Sequence, residues 1–247
     1  MKKMLLVALC AAASAGFAAD VLSENIVGFN KAGTVNGFSN QIACFENVGA
    51  AGMDIQSIIP YCADGVASGD FTIQFYDEFG GFVDEFSYVL GEDIDEGYED
   101  GWYESDWLTL ADYSFDVGTG FTMFCAVDGG TLIFAGEVNG VAVSIPVANG
   151  FTDAGNVRPV AVDIQDIVPA CGDAEVASGD FTIQFYDEFG GFVDEFSYVL
   201  GEDIDEGYAD GWYESDWLTL AVYEFDPGEG FKVFCAVDDG VLGFDAL

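Results

Sequence analysis

Residues 66–111 and 176–221 are the same 46-residue sequence with one difference, Glu99 against Ala209, at an offset of 110. A block that recurs in this way is one structural unit built twice, so whatever fold the chain adopts must accommodate two near-identical bodies. The match continues more weakly on both sides. Asp54-Ile55-Gln56-Ser57-Ile58-Ile59-Pro60 faces Asp163-Ile164-Gln165-Asp166-Ile167-Val168-Pro169, Phe115 to Phe121 faces Phe225 to Phe231, and Gly37-Phe38 faces Gly150-Phe151. The repeat divides the chain into residues 20–137 and 138–247, joined near Thr131 to Val143. Each unit has a comfortable domain size. Any site inside the repeated block exists twice.

The pattern within a unit is β. Phe71, Ile73 and Phe75 alternate with Thr72 and Gln74, the period of a half-buried strand. Gly80-Gly81 marks a tight turn, after which Phe82 to Leu90 returns as a second strand. Phe121, Met123, Cys125 and Val127 form another inward face, matched by Phe231, Val233, Cys235 and Val237. Leu132 to Val138 and Val141 to Val147 read as two more strands. A helical turn fits only at Asp54 to Ile59, where Asp54 caps and Pro60 stops it. The expectation is an all-β chain of two tandem β-sandwich or small-barrel units, each with at most one short helical turn.

Charge narrows the partners. The sequence holds 45 Asp+Glu against 5 Lys+Arg, a formal net charge of −40. Such a polyanion is repelled by phosphate backbones, which excludes nucleic acid. With no histidine, Ser-His-Asp and Cys-His catalysis are excluded too. Aromatic residues make up 15% of the chain, too many for a solvated disordered tail.

Met1 to Ala19 reads as a secretory signal peptide: Lys2 and Lys3 precede the apolar run Met4 to Ala13, and small residues follow up to Ala19. Residues 20–247 then keep three cations, Lys31, Arg158 and Lys232, against all 45 acids, a net charge of −42. No second long apolar run follows, so no membrane span is expected in the mature chain. The compartment implied is outside the cytoplasm: extracellular, cell surface or periplasm.

Chemistry-bearing residues concentrate in one loop of each unit. Glu92 to Asp106 carries eight carboxylates in fifteen residues, and Glu202 to Asp216 repeats it less one. Counted as a calcium loop, Asp93, Asp95, Glu99 and Glu104 fall at positions 1, 3, 7 and 12, with Asp203, Asp205 and Glu214 as their counterparts. Tyr98 stands where that loop needs glycine, and the alternative is a solvated acidic loop that keeps an aromatic-rich β-protein soluble. Ca2+ is therefore the one cofactor the sequence suggests. Trp102, Tyr103 and Trp107, with Trp212, Tyr213 and Trp217, interleave with these acids. Exposed, they would stack on sugar rings while carboxylates take the hydroxyls; buried, they fill the core.

Export leaves Cys44, Cys62, Cys125, Cys171 and Cys235. Repeat symmetry suggests the disulfides Cys62–Cys125 and Cys171–Cys235, with Cys44 unmatched; the alternative is buried thiols on apolar strand faces. No acid stands alone in an apolar stretch where its pKa would rise, and Asp77-Glu78 and Asp84-Glu85 flank a hairpin turn, so no catalytic pair is expected.

The series "ENIVGFNK" (Glu24 to Lys31), "DIQSIIP", "SGDFTIQFYD", "GWY", "PGEGF" and "LIFAGEV" resembles a loose group of uncharacterised secreted β-repeat proteins of Gram-negative bacteria. The likeness covers most of the mature chain, although Val117 replaces the turn proline that the second copy keeps as Pro227. Its motifs are strands and turns, so it implies a fold and an exported setting and no catalytic residue. The expectation is a secreted or cell-envelope protein, not an enzyme, with a structural or interaction role. The alternative is a carbohydrate-binding module, Ca-dependent or not, using the acidic-aromatic loops. Its partner would be a protein or glycan at the cell surface.

Overall fold

The computed structural model describes residues 27–34, 36–42, 52–137, 142–172, 175–205 and 207–245. The segment read as a signal peptide and Cys44 lie outside the described residues. The fold is all-β, with antiparallel pairing throughout the described sheets and none of them closed into a barrel. Among the described residues no helix is long and apolar enough to cross a membrane.

Chain order in the first half is β1 (Val27–Gly33), β2 (Gly37–Ile42), β3 (Met53–Asp54), β4 (Ile59–Tyr61), β5 (Phe71–Tyr76), β6 (Phe82–Val89), β7 (Gly101–Tyr103), β8 (Ser114–Phe115), β9 (Gly120–Cys125) and β10 (Thr131–Glu137). The second half repeats the series as β11 (Val143–Val147), β12 (Gly150–Gly155), β13 (Val162–Asp163), β14 (Ile167–Cys171), β15 (Phe181–Tyr186), β16 (Phe192–Val199), β17 (Gly211–Glu214), β18 (Glu224–Phe225), β19 (Gly230–Cys235) and β20 (Gly240–Phe244). Each half forms a five-stranded sheet, β2-β9-β5-β6-β7 or β12-β19-β15-β16-β17. A three-stranded sheet (β1-β10-β4 or β11-β20-β14) and a two-stranded one (β3-β8 or β13-β18) complete it.

Local chemistry explains the elements. On β5 and β9, Phe71, Ile73, Phe121, Met123 and Cys125 all turn to the core, as strand alternation requires. They meet Leu132 and Phe134 of β10 and Met53 and Phe115 of the small sheet, so the sheets of each half pack around one core. Among the described residues each half has two short helical turns where the sequence suggested at most one, because Gly91–Asp93 and Gly201–Ile204 also coil. Asp54 caps the 3-10 turn Ile55–Ser57 by accepting the Gln56 N–H at 2.9 Å. Pro60 does more than stop that turn, for it lies inside β4, paired with Leu132.

The two halves meet reciprocally. The β5–β6 hairpin reaches the far half, where the Phe151 N–H donates to the Glu78 carbonyl at 2.9 Å; the β15–β16 hairpin returns the contact from the Phe38 N–H to the Glu188 carbonyl, also 2.9 Å. Gly37 and Gly150 make this approach possible. Their φ values are +134° and +123°, and a Cβ would stand 2.3 Å from the Glu188 oxygen or 2.5 Å from the Glu78 oxygen.

Candidate functional site

The acidic-aromatic loops are built from within. Trp102 and Trp212 are fully buried, and each indole N–H donates to a carbonyl across the core, Ile58 at 2.8 Å and Ile167 at 2.7 Å. Tyr103 and Tyr213 are buried beside them, their hydroxyls donating to the Glu99 and Ala209 carbonyls at 2.7 Å. As candidate sugar-stacking rings these four are corrected by their burial: β7 and β17 pair with β6 and β16, which brings Trp102 and Trp212 into the core, and Tyr103 and Tyr213 are covered as well. Trp107 and Trp217 remain 42% exposed, in left-handed backbone at φ 56°. One edge of each ring rests on a glycine, Gly69 or Gly179.

Several carboxylates of the loop serve nearby turns. Asp93 accepts the Ser68 hydroxyl at 2.5 Å, and Asp100 accepts the Gly91 N–H at 2.8 Å. Asp106 accepts two backbone N–H groups and the Thr109 hydroxyl, which together hold its carboxyl below the usual range; Asp216 does the same in the second copy. Asp95 accepts the Glu96 N–H, and Tyr103 binds Glu99 through its carbonyl. Among the described residues no three of the acids and cysteines come close enough to hold one ion. The structure therefore does not gather Asp93, Asp95, Glu99 and Glu104, or Asp203, Asp205 and Glu214, around a common point.

The suggested disulfides also need correcting. Cys62, Cys125, Cys171 and Cys235 are buried thiols outside any disulfide. Three of the sulfurs turn to backbone oxygens: Cys125 Sγ donates to the Val127 carbonyl at 3.2 Å, Cys235 Sγ to Val237 at 3.3 Å, and Cys62 Sγ to Asp128 at 3.7 Å. Burial pushes the Cys235 thiol up.

A different place emerges where the halves meet. Phe79 and Phe189, at the two hairpin tips, are 83% and 82% exposed. Together with Phe38, Tyr76, Phe151 and Tyr186 they line a cleft of about 330 Å³. Such a volume is at the lower end for small-molecule pockets. Asp77 and Asp187 build the tips by accepting N–H groups from Phe79 and Gly81, and from Phe189 and Gly191. The Phe side chain at each apex is thus left to solvent. Phe82 and Val83, like Phe192 and Val193, extend the apolar exposure along the hairpins.

One polar group distinguishes the cleft. Lys232 alternates with the core residues Phe231 and Val233, so it points out of its own half and into the junction. Its Nζ donates to Asp153 Oδ1 at 2.7 Å and stands 5.5 Å from the centre of the Tyr76 ring. The ion pair is well shielded, with the two side chains 20% and 9% exposed. Tyr76 and Tyr186 donate their hydroxyls to Gln74 and Gln184, and burial, more than the nearby acids, raises the pKa of both.

Sequence reasoning missed this place because its parts come from turn tips and outward strand positions of different copies. The one available signal was Gly37-Phe38 matching Gly150-Phe151, the two points on which the opposite hairpins land. Gln56 and Gln165 were missed as well. Each bridges the buried strand at Trp102 or Trp212 by donating to two carbonyls and accepting one N–H. The chain matches no protein-family model, no curated protein and no solved structure.

Proposed function

We propose that this is an exported, non-enzymatic binding protein of the cell envelope, whose working surface is the junction of its two halves. The observation that carries this reading is the pair of hairpin tips. Two phenylalanines more than four-fifths exposed flank a ring-lined cleft, and local turn chemistry fixes them there. Large apolar side chains cost solubility when they face water, and a contiguous patch of them is characteristic of contact surfaces. Export is supported by the Lys2-Lys3 start, the apolar run and the small-residue end. The loop acids Asp93, Asp100 and Asp106 serve architecture: their carboxylates accept hydrogen bonds from Ser68, Gly91 and Leu108.

The test compares purified protein with the double variant Phe79→Ser, Phe189→Ser on a glycan array and on immobilised envelope proteins. Retention of a defined glycan or protein that the double variant loses is the expected result. Retention unchanged in the double variant would move the surface elsewhere. Turnover of chromogenic glycosides, abolished by an Asp→Asn or Glu→Gln change, would replace binding with catalysis.

A further inference from the structure

The two copies act as each other's control at the cleft. In the second half, the ammonium of Lys232 lies over the Tyr76 ring of the first half and is balanced by Asp153. An ammonium over an aromatic face is attracted by the ring quadrupole, more so where water is excluded. Register identifies the matching positions in the first half. Lys232 is opposite Asp153 and Gln184, while Thr122 is opposite Asn40 and Gln74. Tyr186 is the counterpart of Tyr76 in the other copy, and it lines the cleft together with Thr122. Thr122 is shorter than lysine and has no charge to offer that ring.

We propose that the Thr122–Tyr186 side of the cleft takes a primary ammonium carried on a compact apolar body, the ammonium lying over the Tyr186 ring as Lys232 lies over Tyr76. This rests on the cleft being the binding site. The remaining surroundings favour the same chemistry. Phe38 and Phe189 wall the cleft with apolar surface, and Asp187, whose carboxylate accepts the Phe189 and Gly191 N–H groups, lines it too. The field of a chain with net charge −40 draws cations in and repels anions. A cleft of about 330 Å³ admits a body of one aromatic ring and a short chain, so an arylalkylamine is the fitting class.

Calorimetric titration with phenethylamine, 2-phenylethanol and 3-phenylpropanoate tests the charge at nearly constant shape. The amine is expected to bind roughly tenfold tighter than the alcohol, and the carboxylate more weakly than either. Thr122→Lys supplies the missing ammonium internally and should abolish the amine preference, while changing the total charge by only one unit. Tyr186→Leu, which keeps an apolar wall, should reduce the amine to the level of the alcohol. Equal binding of amine and alcohol to the unaltered protein, or an amine preference that survives in both variants, overturns the inference. If the amine fails while the Phe79/Phe189 variant still loses retention on the array, the ammonium inference falls and the binding surface stands.

Discussion

The two halves share residues 66–111 and 176–221 but for one position, and differ in the flanking strands, among them those that face one another. In β9 the sequence Gly120-Phe121-Thr122-Met123 becomes Gly230-Phe231-Lys232-Val233 in β19, and in β2 Asn40 becomes Asp153 in β12. The core positions keep their apolar character, whereas the outward position between them goes from a neutral hydroxyl to a paired ammonium. The difference teaches where each constraint lies. Packing fixes the inward residues of both copies alike, and the junction is where the copies have taken on separate parts.

That comparison predicts equal costs in the core. Trp102→Ala and Trp212→Ala should each destabilise by about 3–5 kcal/mol in urea titrations, because each removes a fully buried indole and orphans a carbonyl. Trp107→Ala and Trp217→Ala, half in water, should cost far less. A large difference between Trp102→Ala and Trp212→Ala would break the equivalence of the two cores.

At the junction the costs should differ. Lys232→Thr leaves Asp153, 9% exposed, without its cation and should cost about 1–2 kcal/mol in the same titrations. Adding Asp153→Asn writes the pair of the first half into the second and should recover most of that loss. Failure to recover would mean that Lys232 stabilises through Tyr76 rather than through Asp153.

The smallest difference is a titration. Burial, a hydrogen bond to Glu229 at 2.6 Å and the charges of Glu229 and Asp226 raise the Tyr223 pKa; its counterpart Tyr113 is raised by burial and by acids, and has Thr119 at the position of Glu229. A phenol whose pKa is higher folded than unfolded lends stability that is complete below the ordinary value of 10.0 and disappears as pH climbs through the folded value. Stability should therefore fall from about pH 10 upward. Glu229→Thr should let Tyr223 ionise earlier in an ultraviolet alkaline titration while leaving Tyr113 unmoved.

How much of this was legible depended on the range of the interaction. The alternation of Phe71 and Ile73, the Gly80-Gly81 turn and the inward run Phe121-Met123-Cys125 are local patterns, and the all-β fold follows from them. The Asp54 cap was local too, although the turn is shorter than expected because Ile59 and Pro60 join a strand. The fate of Trp102 was not legible in its own window. It sits among carboxylates in the sequence, and only pairing with β6 and the Gln56 bridge from 46 residues away turn it inward. Trp107, five residues on, escapes because its left-handed backbone leaves the strand path. The cleft was least legible of all, since it requires each hairpin to land on a glycine of the other copy.

That reciprocal landing has an evolutionary and practical meaning. A single unit already carries both the projecting hairpin and the glycine that receives it, so its contact surface is complementary to itself. Two unlinked units could close the same isologous, two-fold interface as a homodimer, with every substitution then imposed on both sides at once. Tandem fusion lifts that obligation, allowing lysine at position 232 where the other copy keeps threonine at position 122.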